Sequence, residues 1–312
     1  MQNQQTPKWL ELFTTAFGAK GLVALAWWAG AYHAERIRNL QGTYPILQIN
    51  GDAGSGKTTL VDNLWKLSGV ADPDGITNRN HTFSALLAQL AKAVSEPVVI
   101  DDVASDDERY DWDALRECYS TSLAMRAGVG QPVRFRGALV IVGTGPNILK
   151  QRSVEVQLKR AEQGPERSAA VQALYDLHLS ELESFLATVK AHQDMAIFCM
   201  GKAEALAFEL ADQVHADITI RDARNHAQLI ALLDFLDTLF HVPTTALESA
   251  KAEVHRMAWQ TVGRTRGPVE DGAMNDETPT SVIATLIGSG IALLLLAAGA
   301  NATPDLLLHL TH

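Results

Sequence analysis

Gly51-Asp52-Ala53-Gly54-Ser55-Gly56-Lys57-Thr58-Thr59 fits the pattern G-x-x-x-x-G-K-[ST] of a phosphate-binding loop. Its flanks agree with that reading. Tyr44-Pro-Ile-Leu-Gln-Ile-Asn50 is short, apolar and β-rich, as a buried strand is. Leu60, Leu64 and Leu67 recur at i, i+4 and i+7, as on one face of a helix. Strand, glycine loop and helix make an anion site, because the glycines let backbone N–H groups wrap phosphate oxygens and the helix N-terminus adds its positive end. In such a loop the residues from Gly51 to Thr59 cradle a nucleotide, Lys57 reaches its β- and γ-phosphates, and the Thr58 hydroxyl binds Mg²⁺. ATP and Mg²⁺ are the expected cofactors. A chance glycine turn is the alternative, and two matching flanks weigh against it.

Pro97-Val-Val-Ile-Asp101-Asp102 is a second buried strand ending in two carboxylates. Behind a phosphate loop this is the Walker B pattern. Asp101 is expected to hold Mg²⁺ through water, and Asp102 stands where an ATPase places its water-activating carboxylate, usually Glu. Two adjacent acids also suit a solvated strand end. Ala138-Leu-Val-Ile-Val142 is a third buried strand and leads into Gly143-Thr-Gly-Pro-Asn147. A polar residue at such a strand end orients the attacking water; Asn147 is the first candidate and Thr144 the second, against a turn-forming Asn. Val154, Val156 and Leu158 alternate in a fourth strand just after Arg152. Arg152 and Arg160 are candidates for an arginine that stabilises the γ-phosphate on a neighbouring subunit, against plain surface arginines.

Between the second and third strands, Arg126-Ala-Gly-Val-Gly-Gln-Pro-Val-Arg134-Phe135-Arg136-Gly137 suggests a β-hairpin with a basic tip. Arg126, Arg134, Phe135 and Arg136 are candidates for contact with single-stranded DNA through phosphates and a stacked base. An ordinary solvated loop fits the same letters.

Alternating strands and helices predict an α/β, three-layer, mostly parallel P-loop core over 44–162. Residues 1–43 read as an N-terminal helical segment in which Trp27 and Trp28 are core residues. Helices are expected over 81–94 and 113–127. Residues 163–262 read as an α-helical lid or bundle, with helices over 170–191, 202–214, 221–240 and 244–260; Arg221 and Arg224 open the third of these. A polar linker over 263–281 precedes an apolar C-terminal segment, 282–312. Its stretch 282–300 carries no charge over nineteen residues, enough for a membrane tail anchor or for a buried terminal helix. The cationic residues before it would place its start on the cytoplasmic side.

The net charge of −10 excludes a global basic field for nucleic acid, yet 121–160 holds seven basic residues against one acid. Cys118 and Cys199 lie far apart and outside any C-x-x-C spacing, which argues against a disulfide framework or a zinc site and for a reducing, cytoplasmic compartment.

Together these residues resemble the helicase part of TOPRIM-type primase-helicases of phages and integrative conjugative elements, close to the superfamily 3 helicases. The resemblance is carried by Phe17-Gly-Ala-Lys-Gly-Leu-Val-Ala-Leu-Ala-Trp-Trp28, Gly51 to Thr59, Pro97 to Asp102, Phe135-Arg-Gly-Ala-Leu-Val-Ile141 and Asn225-His-Ala-Gln-Leu229. It implies an AAA+-like fold and an Mg-ATP-driven motor on single-stranded DNA, working as a ring, expected to be a hexamer, in replication of a phage or mobile element. It also makes the arginine-bearing hairpin a DNA-contacting element. No primase or zinc-ribbon segment is found, and the chain after Gly263 departs from the family. A nucleotide-binding remnant or scaffold with little hydrolysis, with or without membrane tethering, is the competing function. A small-molecule kinase shares the loop but not the long helical domain.

Overall fold

In a computed structural model the described residues are 6–73, 82–120, 124–125, 133–214 and 218–265. The first element, α1 (Lys8–Ala31), is apolar on almost every side, as a helix buried all round must be. It is long and apolar enough to cross a membrane by those criteria alone. Its side chains from Leu22 to Ala29 are instead packed against the rest of the protein. Helix α2 (Ala34–Gln41) follows a two-residue break.

Trp27 and Trp28 are fully buried, as expected. The Trp27 indole donates to the carbonyl of Pro45 at 2.8 Å, and the Tyr44 hydroxyl donates to the Trp27 carbonyl at 2.6 Å. The Trp28 indole donates to Ser68 Oγ at 2.9 Å, and its ring meets Trp65 edge to face. One turn of α1 therefore grips both the start of β1 (Ile46–Gly51) and the end of α3 (Lys57–Leu67), the two elements that flank the glycine loop. Tyr44→Phe removes one buried hydrogen bond of this clamp. It should lower stability by about 1 kcal/mol, seen as a lower urea midpoint at unchanged slope.

Next come α4 (Phe83–Lys92), β2 (Val94–Val103), the single turn α5 (Trp112–Leu115) with a 3₁₀ turn Arg116–Tyr119, the short pair β3 (Ala124–Met125) and β4 (Val133–Arg134), and β5 (Arg136–Gly143). A 3₁₀ helix Asn147–Arg152 leads into β6 (Ser153–Leu158). β2, β5, β1 and β6 form a four-stranded sheet in that order, and all its neighbours run parallel. The strand between β1 and β2 is thus one that comes later in sequence. Leu47 and Ile49 of β1 face a core shared with α1, α3 and the C-terminal helices. On the opposite face Ile46, Val98, Ile100, Leu139 and Ile141 pack on α4 and the 112–119 turn.

Three layers hold over the β2–β5 half of the sheet. Over the β1–β6 half the second face carries Gln48, Asn50, Ser153, Glu155 and Gln157, and opens on a polar cavity of about 740 Å³. This departs from the three-layer expectation, because alternation on β1 and β6 places polar side chains on the face that a covering helix would need apolar.

The helical region is α6 (Pro165–Asp176), α7 (Leu179–Ala191), α8 (Gln193–Met200), α9 (Ala203–Gln213), α10 (Ile220–Phe240) and α11 (Thr244–Thr265). The helix expected over 170–191 is two, since the Glu181 carboxylate accepts the His178 backbone N–H at 2.9 Å and starts a new helix there. Helix α8 was not expected. The helix expected over 113–127 stops at Tyr119, where Ser120 is extended and bridges Thr43, and Tyr119 O accepts the Tyr44 N–H at 2.9 Å. The apolar segment 282–300 lies outside the described residues.

Candidate functional site

The C-terminal ends of β1, β5 and β2 lie side by side. β1 ends in the loop 51–56. There Gly54 and Gly56 have φ of +74° and +93°, a region that side-chain-bearing residues rarely adopt, and α3 starts at Lys57. Lys57 Nζ donates to Gly51 O at 2.6 Å and Asp52 O at 3.1 Å, so its ammonium lies along the loop. Thr58 is exposed beside it, and Ser55 Oγ is buried with no hydrogen-bond partner. Backbone N–H groups at a helix start, a lysine ammonium and an open hydroxyl are the donor set a nucleotide phosphate with its Mg²⁺ requires. Among the described residues no three His, Cys, Asp or Glu side chains form a metal cage. A phosphate-held ion with few protein ligands needs none.

Asp101 closes the buried part of β2; it is 8% exposed, and its Oδ1 accepts the Asp102 backbone N–H at 2.8 Å. The register of β2 on β5 shifts between Ile100 and Val103, so Asp102 sits on a bulge, exposed, with φ +59°. A bulge re-aims a side chain, and a left-handed aspartate stores strain that the surroundings must hold. Gly143 at the end of β5 has φ +123°, and a Cβ there would lie 2.2 Å from Val103 O, so the two strands approach closely at this point. Thr144 follows at once; its N–H donates to Val103 O at 2.9 Å and its hydroxyl lies 3.5 Å from Asn50 Oδ1. The second-choice Thr144 is therefore the residue at the strand end. Asn147, the first choice, lies past Pro146 in the 3₁₀ helix and faces the polar cavity. Thr144 and Asn50 line that cavity too.

Asn225 of the motif Asn225-His-Ala-Gln-Leu229 on α10 forms a buried polar seam with the sheet side. It accepts the Tyr119 hydroxyl at 2.7 Å and donates to Gln151 O at 3.2 Å, and Gln228 donates to Thr43 Oγ1 at 3.0 Å. Burial holds the His226 imidazole down at about 4, and it is therefore neutral at physiological pH. The seam ties α10 to the segment that leaves β5.

No protein-family model and no curated protein sequence matches the chain. A solved structure titled SCCmec type IV Cch, active helicase, superposes with a TM-score of 0.61 at 13% identity, over 86% of this chain and 57% of that one. The chain has a helicase-like fold. It spans little more than half the length of that protein. A structure titled JCV helicase matches with a TM-score of 0.34 at 18% identity, over 80% of this chain and 70% of that one, and carries no argument at that score.

Not all the expected residues meet at the loop. Arg152 precedes β6, whose Ser153 pairs with Ile46 at the start of β1, whereas the glycine loop opens at Gly51 opposite Leu158. Arg152 is thus at the far end of the sheet. Burial first, then Arg221 and Arg116 close by, lower its pKa. Arg221 donates to Gln151 Oε1 at 3.0 Å in the same region, and Arg224 lies 3.4 Å from Glu204. Arg160 stands instead against the crest of the glycine loop, its Cδ and Nε 4.0 Å from where a Gly54 Cβ would lie.

Of the hairpin expected over 126–137, the described residues show the antiparallel pair β3–β4, with Ala124 opposite Arg134 and Met125 opposite Val133; the tip lies outside them. Arg126 lies outside the described residues. Arg134 is exposed and lies 3.5 Å from Glu35. Arg136 begins β5 and is half-buried. Phe135 corrects the expectation of a stacking aromatic: it is 7% exposed, and its ring packs under the Arg38 guanidinium. Arg38 itself is buried and donates to Gly137 O and Cys118 O, both at 2.6 Å. Phe135 anchors the base of the hairpin and offers no face to a base. Nothing in the local pattern of Arg134-Phe135-Arg136 distinguishes these roles, because the covering Arg38 comes from α2.

Proposed function

We propose that the chain is an Mg-ATP-dependent ATPase of the helicase type that moves on single-stranded DNA as a ring of like subunits, a hexamer by the family resemblance. The observation that carries this is the strand order β2-β5-β1. It brings the loop 51–58, Asp101 with Asp102, and Thr144 to one edge, with the β5 end between the phosphate loop and the carboxylates. That is the arrangement an AAA+-like P-loop core uses to put an attacking water beside a γ-phosphate. Here Lys57 and the loop N–H groups hold the phosphates, Thr58 and Asp101 hold Mg²⁺, Asp102 takes the proton from water, and Thr144 orients that water. Mg²⁺ held there would supply charge neutralisation to the phosphates. The helicase-like fold and the β3–β4 hairpin with its flanking arginines favour DNA as the track.

The test is ATP turnover of the full chain with and without single-stranded DNA, across a salt series. Turnover should rise with DNA, and the rise should fade steeply with salt, because arginine–phosphate contacts release counterions. DNA-independent turnover at every salt concentration would sink the motor reading. A second function is favoured by one observation, the exposed and strained Asp102 where a longer Glu is usual: a nucleotide-gated scaffold. It predicts tight ATP binding with almost no turnover. A displacement of about an ångström of the activated water can cost roughly 10² in rate.

A further inference from the structure

The segment after β6 runs back over the phosphate loop. Leu158 pairs with Gly51, and a Cβ on Gly51 would lie 2.3 Å from Leu158 O, so the strand end is pressed on the loop's first residue. Two residues on, the Cδ and Nε of Arg160 lie 4.0 Å from where a Gly54 Cβ would stand. Gln163 Nε2 donates to Ser55 O at 2.8 Å and lies 3.1 Å from the position of a Gly56 Cβ. Residues 158–163 therefore form a strap along the loop crest, meeting it at three successive places.

The strap is fastened from behind. Glu162 accepts from Lys20 Nζ at 2.5 Å and lies 3.9 Å from Arg167. Lys20 belongs to α1, whose kink at Gly18 brings the chain within reach, since a Cβ there would lie 3.3 Å from Arg167 Nη2. Glu162 is thus committed to two other cations. Arg160 is exposed and makes no ion pair among the described residues. A guanidinium is planar, stays charged and offers several donors in a fixed fork suited to phosphate oxygens. It lies here beside a glycine loop at a helix start, where backbone N–H groups suit an anion. Lys57 and Arg160, neither in an ion pair among the described residues, put two cations at the crest to meet a polyphosphate.

The geometry points to Arg160 as a nucleotide-binding residue of its own subunit: its guanidinium binds the phosphate chain of the nucleotide on the Gly51–Thr58 loop, and Gln163, through Ser55 O, positions the loop crest beneath it. This deepens the ATPase function above and rests on it. It also separates the two arginines that border β6, since Arg152 at the strand's start lies away from that loop and Arg160 at its end lies on it.

The test is equilibrium binding of a fluorescent ADP and a fluorescent ATP analogue to the full chain, for wild type, Arg160→Ala, Arg160→Lys and Arg152→Ala, with thermal melting of each. Arg160→Ala should weaken both nucleotides roughly tenfold or more, as loss of a charge-assisted hydrogen bond does. Arg160→Lys should recover part of that loss, Arg152→Ala should bind as wild type, and the melting temperatures should stay together. Wild-type affinity in Arg160→Ala overturns the inference and leaves the ATPase function standing. Equal loss in Arg160→Ala and Arg160→Lys, accompanied by a lowered melting temperature, overturns it as well, since it marks a structural strap. A wild-type chain that binds neither nucleotide overturns both.

Discussion

Replacing Arg152 by alanine should lower DNA-stimulated ATP turnover by roughly 10³–10⁵, the range an arginine finger is worth, while nucleotide affinity stays near wild type. The expectation rests on where β6 begins. Five register steps separate Ser153–Ile46 from Leu158–Gly51, which is about 16 Å along parallel strands. An arginine at the first of these pairs cannot meet a γ-phosphate at the second within one chain. It sits with Arg221 and Arg116, whose like charge lowers its pKa after burial has done so. Glu117 and Tyr119 offset part of that lowering, so Arg152 stays charged and can receive an anion from outside. Its role is therefore read by mixing subunits. Arg152→Ala subunits keep an intact phosphate loop, and Lys57→Ala subunits keep an intact arginine. Co-assembled, they should rebuild working interfaces and recover a measurable share of turnover, although each is inert alone. Arg160→Ala mixed with Lys57→Ala should recover none, because both lesions fall on the subunit's own site. A mixture of Arg152→Ala and Lys57→Ala that stays inert, in rings shown to contain both, would remove Arg152 from the reaction.

Lys57→Ala should reduce turnover by roughly 10²–10³, the loss seen when one donor to developing negative charge is removed. Lys57 Nζ is held on the Gly51 and Asp52 carbonyls, so it needs only to rotate along the loop to meet a phosphate entering above the α3 N-terminus. The first of these bonds is part-buried and the second exposed. Their loss should leave the melting temperature close to wild type, and steady-state kinetics can then be read without correction for unfolding. Substantial turnover in Lys57→Ala would mean that the measured hydrolysis comes from another site or from a contaminant.

Much of this site is legible in the letters because it is local. The glycine loop, the strand before it and the helix after it occupy one continuous stretch, and the chemistry of Lys57 and Thr58 needs no distant partner. Asp101 and the β5 end can be found because buried parallel strands are apolar runs with polar ends. Thr144 displaced Asn147 as the residue at the strand end, since Pro146 turns the chain away before Asn147 is reached. Phe135 looked like a stacking residue because its neighbours are cationic, and only the fold covers it with Arg38 of α2. The two arginines bordering β6 read alike in sequence, yet six residues of parallel strand carry them to opposite ends of the sheet.

The sequence by itself determined the strand-loop-helix unit, the helical character of the C-terminal region up to α11 and the burial of Trp27 and Trp28. Periodicity and composition are properties of neighbouring residues, and burial enforces them. Tertiary structure alone decided that β5 lies between β1 and β2, that the helix ends at Tyr119 so that Ser120 bridges Thr43, that the β1–β6 face is polar and open, and that Arg160 lies against the loop of its own chain. Each of these depends on contacts between residues tens of positions apart, and the pairing of distant segments leaves no period in the chain to read.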